Sequence, residues 1–595
     1  MINIILLSIV FLFIFSNNFK IVENNNEILI SNYITSFTLS ISIIGSISLG
    51  LIFINSVQFP IIIISLLIFF SYFLIFNINL KNIINFFISW KILLNTFLLK
   101  NSFNKFLVFL VFYLYLLSFG PINHPDATTT YVGYPYQFFI KGKHFIDGGL
   151  FQGILGISDF ANLAFFQEKS IWLIRMIQAI PIFMIVSIFI KRGKSKLFIL
   201  SFLTTPVFIQ WLTIGKFLLF PDLAVTITYL VWDKYRTKNN LINLLILIVL
   251  SISFKISSLI ICIPIFFHIL YDLVSTKKLK SLFLIENSLR YLFLFLAIGV
   301  LAEILLYRFY VTGNFLYPIF NSFLIPDNQQ MIDFENDLKQ YIYSDGLPFI
   351  TTNVNLLGMI LGPANTLLII FLPFLSLLAK NGNKFIKSNF VAITQIILLL
   401  ILSNGRADYF ASPLVILLMK NRLFNLNNYT IKKIPKVKFI YFKKIFLLIL
   451  WLQILIFSCI TLLSIYQSIF GIFNYQSSMN RFAYNYDLTT TLNKVSKEPI
   501  INFYDRTPLF FLEKDYVHED VFKKCLYYND KEFGKDSIEN CFKNFKAKSI
   551  IINSDALKNN KSFICKKYST NYTSRNPFKF RKRDFDLCDI NNLEY

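Results

Sequence analysis

The sequence predicts an α-helical polytopic membrane protein of about 12–14 spanning helices, with a small α/β domain at its C-terminal end. Three observations carry this. Of the 595 residues 55% are hydrophobic, only 15% are charged, and 69 are Phe. Long apolar runs recur from residue 2 to residue 468, and 58–79 (QFPIIIISLLIFFSYFLIFNIN) alone can cross a hydrocarbon layer about 30 Å thick as a helix. Beyond that point the chain turns polar.

Spanning segments fall at 2–16, 35–56, 58–79, 105–120, 170–190, 196–214, 217–232, 241–255, 257–273, 285–310, 353–380, 389–404, 406–420 and 445–468. The first has no basic residue before it and no small-residue cleavage site after it, so it reads as an anchor helix rather than a cleaved signal. Three organisational units result: N-terminal helices over 1–104, a transmembrane core over 105–470, and a soluble domain over 471–595.

Orientation follows from the connecting segments. KRGKSK (191–196), DKYRTKNN (233–240), TKKLKS (276–281), KNGNKFIKS (380–388) and the stretch 420–444 are all basic, and basic loops stay in the cytoplasm. Parity holds if 241–273 crosses twice, with its turn at 255–257. Loops 121–169 and 311–352 and the tail then lie outside the cytoplasm. The formal net charge of +24 has the same origin, so no nucleic-acid partner is expected.

The tail mixes strand-like pieces, INFYD (501–505) and KSIIIN (548–553), with helix-like stretches. It holds Cys525, Cys541, Cys565 and Cys588. Four cysteines in an exported domain suggest disulfides in any of three pairings.

Charges near spanning segments are few: Arg175, Lys216, Asp222, Lys255, Glu303, Arg308, Arg406 and Asp408. A charge at a helix centre costs about 2.5–3.5 kcal/mol to insert. On this topology nearly all fall toward the outer face, where the loop stretch GPINHPDATTTYVGYPYQ (120–137) adds His124 and Asp126. Plain structural roles are open to several. Lys216 can snorkel to the interface, Glu303 and Arg308 can pair across a turn, Arg406 and Asp408 can close a helix end, and Asp126 can form a turn after Pro125. Together, however, cations and a carboxylate at an outer leaflet suit a lipid phosphate. Cations stabilise it as a leaving group, and a carboxylate takes a proton from an attacking hydroxyl or holds a divalent metal ion. The sequence contains no GxGxxG, GxxxxGK[ST] or HExxH pattern.

The arrangement resembles the GT-C-type membrane glycosyltransferases, which use polyprenyl-phosphate-linked sugars, and looks like a divergent branch of them. The matching stretches span roughly 105–470: HPDATTTYVGYPYQF (124–138), GGLFQGILG (148–156), DFANLAFFQEK (159–169), KFLLFPDL (216–223), SISFKISS (251–258), TGNFLYPIFN (312–321) and GRADYFASP (405–413). It departs from the family in following Asp126 with Ala127 rather than a second acid, so that Asp147 or Asp159 would supply the other carboxylate. Three spans, where many members have one, precede this loop.

The resemblance implies Asp126 as catalytic base, or as ligand of a divalent metal ion if one is present. It implies Lys255 and Arg406 as phosphate-binding cations, with Lys216, Asp222 and His124 beside them. Tyr131, Tyr134 and Tyr136 would stack on a sugar or sit as interfacial belt residues. It further implies a polyprenyl-phosphate sugar donor, a lipid or glycan acceptor, and residence in a bacterial inner membrane among membrane lipids. An O-antigen ligase or polymerase would place its large loop late, whereas here the long loop is early. A lipid-linked glycan transporter or flippase would show inverted repeats and midplane charges. A structural membrane protein with an exported binding domain would leave Lys255 unexplained.

Overall fold

The computed structural model describes residues 26–57, 126–145, 151–167, 172–193, 215–217, 219–276, 288–329, 331–336, 388–402, 410–420, 485–502, 509–517, 537–552, 563–573 and 580–590, with single residues between them. The runs predicted at 2–16, 58–79, 105–120 and 353–380 lie outside the described residues, as do most of 196–214 and 445–468.

The protein is mostly helical, with a small C-terminal sheet domain. Its bundle contains α1 (Asn26–Phe53), α2 (Gly133–Lys141), the short α3 (Ile157–Phe160) and α4 (Asn162–Gln167), α5 (Trp172–Lys191), α6 (Leu219–Tyr235), α7 (Lys238–Phe254), α8 (Leu259–Ser275), α9 (Ser288–Thr312), α10 (Phe390–Leu402) and α11 (Ala411–Lys420). Among the described residues three helical stretches are long and apolar enough to cross a membrane: Glu27–Phe53, Ile256–Ser275 and Arg290–Thr312. Large apolar side chains on α8 and α9, including Phe267, Tyr271, Phe295 and Leu306, point outward, as they would toward lipid.

Helix α1 is rich in Ser and Thr yet sits among apolar neighbours. It does so by bonding many of these hydroxyls to the preceding turn: Thr35 to the Ser31 carbonyl, Thr38 to Ile34, Ser42 to Thr38 and Ser48 to Ile44, all at 2.7–2.9 Å. Its small side chains admit close neighbours, and a Cβ on Gly45 would stand 2.1 Å from the Ile157 carbonyl oxygen.

Helices α7 and α8 form an antiparallel hairpin. Cys262 Sγ lies 4.0 Å from the Ile248 carbonyl oxygen, which two residues fourteen apart on one straight helix cannot reach. The break falls at Lys255, whose backbone is extended (φ −156°, ψ 124°). At the far end Arg236 pairs with Asp272.

Charged partners gather at that same far end. Glu27, which opens α1, is buried between Arg192 after α5 (2.8 Å) and Lys234 on α6 (2.8 Å). Asp233 binds Lys420, the last residue of α11, at 2.9 Å. The ends of α5, α6, α8 and α11 and the start of α1 are thus clasped together.

The C-terminal domain is a five-stranded sheet in the order β2-β1-β3-β5-β4, from β1 (Ile500–Asn502), β2 (Tyr516–Val517), β3 (Ser549–Ile552), β4 (Phe563–Thr573) and β5 (Phe580–Ile590). β1 runs parallel to β2 and β3, and β5 is antiparallel to both β3 and β4. Helices α12 (Tyr486–Val495) and α13 (Ser537–Phe545) complete it. Of the three possible cysteine pairings, Cys525–Cys541 and Cys565–Cys588 are formed. Cys565 and Cys588 face each other across the β4–β5 ladder.

This domain docks on the loop around α2. Gln137 Nε2 donates to the carbonyls of Leu509 (2.7 Å) and Leu512 (2.6 Å). Lys141 pairs with Asp515 at 2.8 Å, and Phe510 packs on Tyr136 and Phe166.

Candidate active site

The end of the bundle opposite the ion-pair clasp collects chemistry. Asp126 leads into a π-helical turn over Ala127–Tyr131, and the Val132 N–H closes it on the Ala127 carbonyl at 2.8 Å. Lys216 meets both Asp126 and Tyr131: its Nζ is 3.3 Å from Asp126 Oδ2 and 5.0 Å from the Tyr131 ring centre. Gly215 makes this possible with φ +83°, a left-handed turn natural to glycine, and delivers a lysine that is only 8% exposed.

Lys255 approaches from the tip of the α7–α8 hairpin, 5.9 Å from the same ring. An ammonium group over an aromatic face is favourable, by about 0.5–2 kcal/mol per cation depending on desolvation. Asp222 lies buried at the start of α6, bonded to Ser258 and within electrostatic range of Lys255.

A third carboxylate completes the group. Asp159 on α3 is 3% exposed, and its Oδ2 accepts the Gly156 N–H at 2.8 Å. Gly156 brings it there. A Cβ at that position would stand 1.7 Å from the Phe254 carbonyl oxygen, one residue before Lys255. Only glycine lets loop and hairpin tip touch. Burial pushes the Asp159 carboxyl up to about 7, against the Gly156 N–H and the charges of Lys255, Lys216 and Arg308, which pull it down. Arg308, fully buried on α9, donates from Nη2 to the Leu155 carbonyl at 3.3 Å. Asn162 Nδ2 holds the Tyr131 carbonyl at 3.2 Å.

The structure therefore brings together Asp126, Tyr131, Lys216, Lys255 and Asp222. His124, Arg406, Asp147 and Asp408 lie outside the described residues. Tyr134 is 1% exposed and packs in the core, which leaves it no ring face for a sugar. Tyr136 faces Phe166 and Phe510 at the docked domain. Glu303 and Arg308 do not pair with each other across a turn: Glu303 accepts from Ser46 on α1, and Arg308 turns to the Leu155 carbonyl near Asp159. Arg308 in an otherwise apolar run was the available signal for that placement; nothing in the spacing pointed to the α3 loop as its neighbour.

Among the described residues no three acidic, His or Cys side chains gather into a group that could hold a metal ion. Asp126 faces an ammonium, and Asp159 is ringed by cations. No family model, curated protein or solved structure matches the chain.

Proposed function

We propose that the chain is a polytopic glycosyltransferase of about 12–14 spans in a bacterial inner membrane, which moves a sugar from a polyprenyl-phosphate carrier to a lipid or glycan acceptor outside the cytoplasm. The observation that carries this reading is the meeting of Asp126, Lys216 and Lys255 around Tyr131, at the bundle end that bears the disulfide-bonded domain. Disulfides belong to an oxidising compartment, and the basic loops adjoin the opposite end, so the site faces outward.

In this scheme the donor phosphate lies against Lys216 and Lys255. The acceptor hydroxyl attacks the anomeric carbon and loses its proton to the Asp126 carboxylate. The bond between that carbon and the phosphate oxygen breaks, and the charge left on the lipid phosphate is met by the two ammonium groups. Until a phosphate arrives, Lys216 neutralises Asp126; a donor that draws Lys216 away leaves the carboxylate able to act as base.

A transporter or flippase must open at both ends. The clasp of Glu27, Arg192, Lys234, Asp233, Arg236, Asp272 and Lys420 works against that. The test is a transfer assay with purified protein, radiolabelled polyprenyl-phosphate sugars and a membrane lipid extract. Label should reach an acceptor with the wild type and fail to do so with Asp126→Asn or Lys255→Ala at equal protein level. Transfer that survives both substitutions would overturn the site.

A further inference from the structure

The β4–β5 ribbon outgrows its sheet. β3 pairs with β5 only over Asp586–Asp589, whereas β4 and β5 stay paired from Phe563↔Ile590 out to Thr573↔Phe580. Among the described residues, the six pairs from Tyr568↔Phe585 outward have no third strand, and they extend about 17 Å at the rise of a β-strand. At the ribbon's base Phe585 is buried, in the same apolar cluster as Leu488 and Leu492 of α12, and stacks on Tyr568.

Cations line this extension and its base. Arg581, Lys582 and Arg583 follow one another on β5 within it, and Lys566 and Lys567 lie on β4 just below it, where β5 still pairs with β3. Asp584 is paired with Lys567 at 2.7 Å, and Asp586 stands opposite Lys567 in the ladder. Five positive charges against two negative leave a net +3 (5 − 2) on a narrow strip. Arg581 and Arg583 occupy the positions that share a ribbon face with Phe585, and Lys582 the position that shares one with Asp584. Lys566, Lys567 and Lys582 are exposed. The outermost positions of the register, Tyr572↔Arg581 and Thr573↔Phe580, are aromatic on one strand or the other.

We propose that the distal ribbon is a binding site for anionic phospholipid headgroups. Positive positions on both faces suit an element that enters a headgroup layer edge-on, where each cation finds a phosphate; a polymer laid along a ribbon would be read by one face. Aromatic residues at the outer end suit the boundary between headgroups and acyl chains. Each Lys or Arg near an anionic surface contributes about 1 kcal/mol, so removing one weakens binding about fivefold. The proposal does not depend on sugar transfer; it needs only the apolar bundle to be embedded in a bilayer.

The test is hydrogen exchange on the full-length protein in nanodiscs of phosphatidylcholine alone or mixed with phosphatidylglycerol. Amides of 568–573 and 580–585 should exchange several-fold more slowly in the anionic discs. The protection should fall about fivefold for each of Arg581→Gln, Lys582→Gln and Arg583→Gln, and should weaken with added salt. Amides of β1 and β3 report that the domain remains folded. Equal exchange in both lipids would overturn the proposal. Protection that appears only with a soluble anionic polysaccharide would overturn it in favour of a glycan partner.

Discussion

Lys216 Nζ stands 3.3 Å from Asp126 Oδ2 while its flank covers the Tyr131 ring, so one ammonium group is shared between a carboxylate and an aromatic face. Lys255 leans on the same ring from another helix. Tyr131 thereby spaces the two cations. Tyr131→Phe keeps the ring and should leave transfer near the wild-type level. Tyr131→Leu removes it, and the apparent KM for the donor should rise about tenfold, as expected for the loss of a desolvated cation–π contact. Steady-state kinetics of the two variants separate a spacer from a ring that binds sugar, since a stacking role would tolerate Phe but would also lower kcat with Leu.

Gly156→Ala should be among the most damaging small substitutions in the chain. The added methyl meets the Phe254 carbonyl oxygen at 1.7 Å, and backbone on both sides must shift. A loss of about 2–4 kcal/mol is expected, with Asp159 drawn away from Lys255. Thermal unfolding in detergent measures it; an unchanged Tm would mean that the two segments do not touch as described.

Asp159 gives the stability a pH dependence of known sign. Its carboxyl is raised from 3.8 to about 7, so the folded protein binds this proton more tightly than the unfolded chain. The contribution is full below about pH 4 and is lost as pH rises toward 7, a span worth about 4 kcal/mol. Asp159→Asn should abolish that part of the profile. The wild type should therefore lose Tm relative to the variant between pH 4 and pH 7, and a constant difference would refute the shift.

Glu27→Gln should loosen the opposite end. The buried carboxylate is met by Arg192 and Lys234, and removing its charge leaves two cations facing each other at 2.8 Å from the same site. A cost of about 3 kcal/mol is expected. The replacement Gln can still accept one bond, so pairing it with Arg192→Gln should recover part of the loss in a double-mutant cycle.

Much of the helical layout was legible because apolar runs and basic loops obey simple rules. Predicted segments at 170–190, 217–232, 257–273 and 285–310 meet α5, α6, α8 and α9 within a few residues. The turn expected at 255–257 falls at Lys255, where α7 gives way to α8 and the chain doubles back. The run 35–56 begins earlier than hydropathy indicates, at Asn26, where the charge of Glu27 is met by Arg192 and Lys234. At the site, Asp126, Lys216, Lys255 and Asp222 stood out as charges set in apolar or turn-rich sequence. Asp159 and Arg308 were harder to place, since Arg308 reaches this loop across the fold, at the Leu155 carbonyl 153 residues earlier in the chain. The β4–β5 strands escaped notice because alternating Lys, Thr and Asn carry no apolar periodicity.

The contact of Gln137 with the Leu509 and Leu512 carbonyls joins an early loop to a late domain, 372 and 375 residues further along the chain. A ribosome making this protein releases Asp126 and Tyr131 long before it reaches Leu509. During that interval the helices can assemble while the loop beside the Asp126 carboxylate waits for its cover. Synthesis order thus makes maturation a vectorial event: the protein becomes whole only when its last quarter has been made, cross-linked by its two disulfides and laid back over its first.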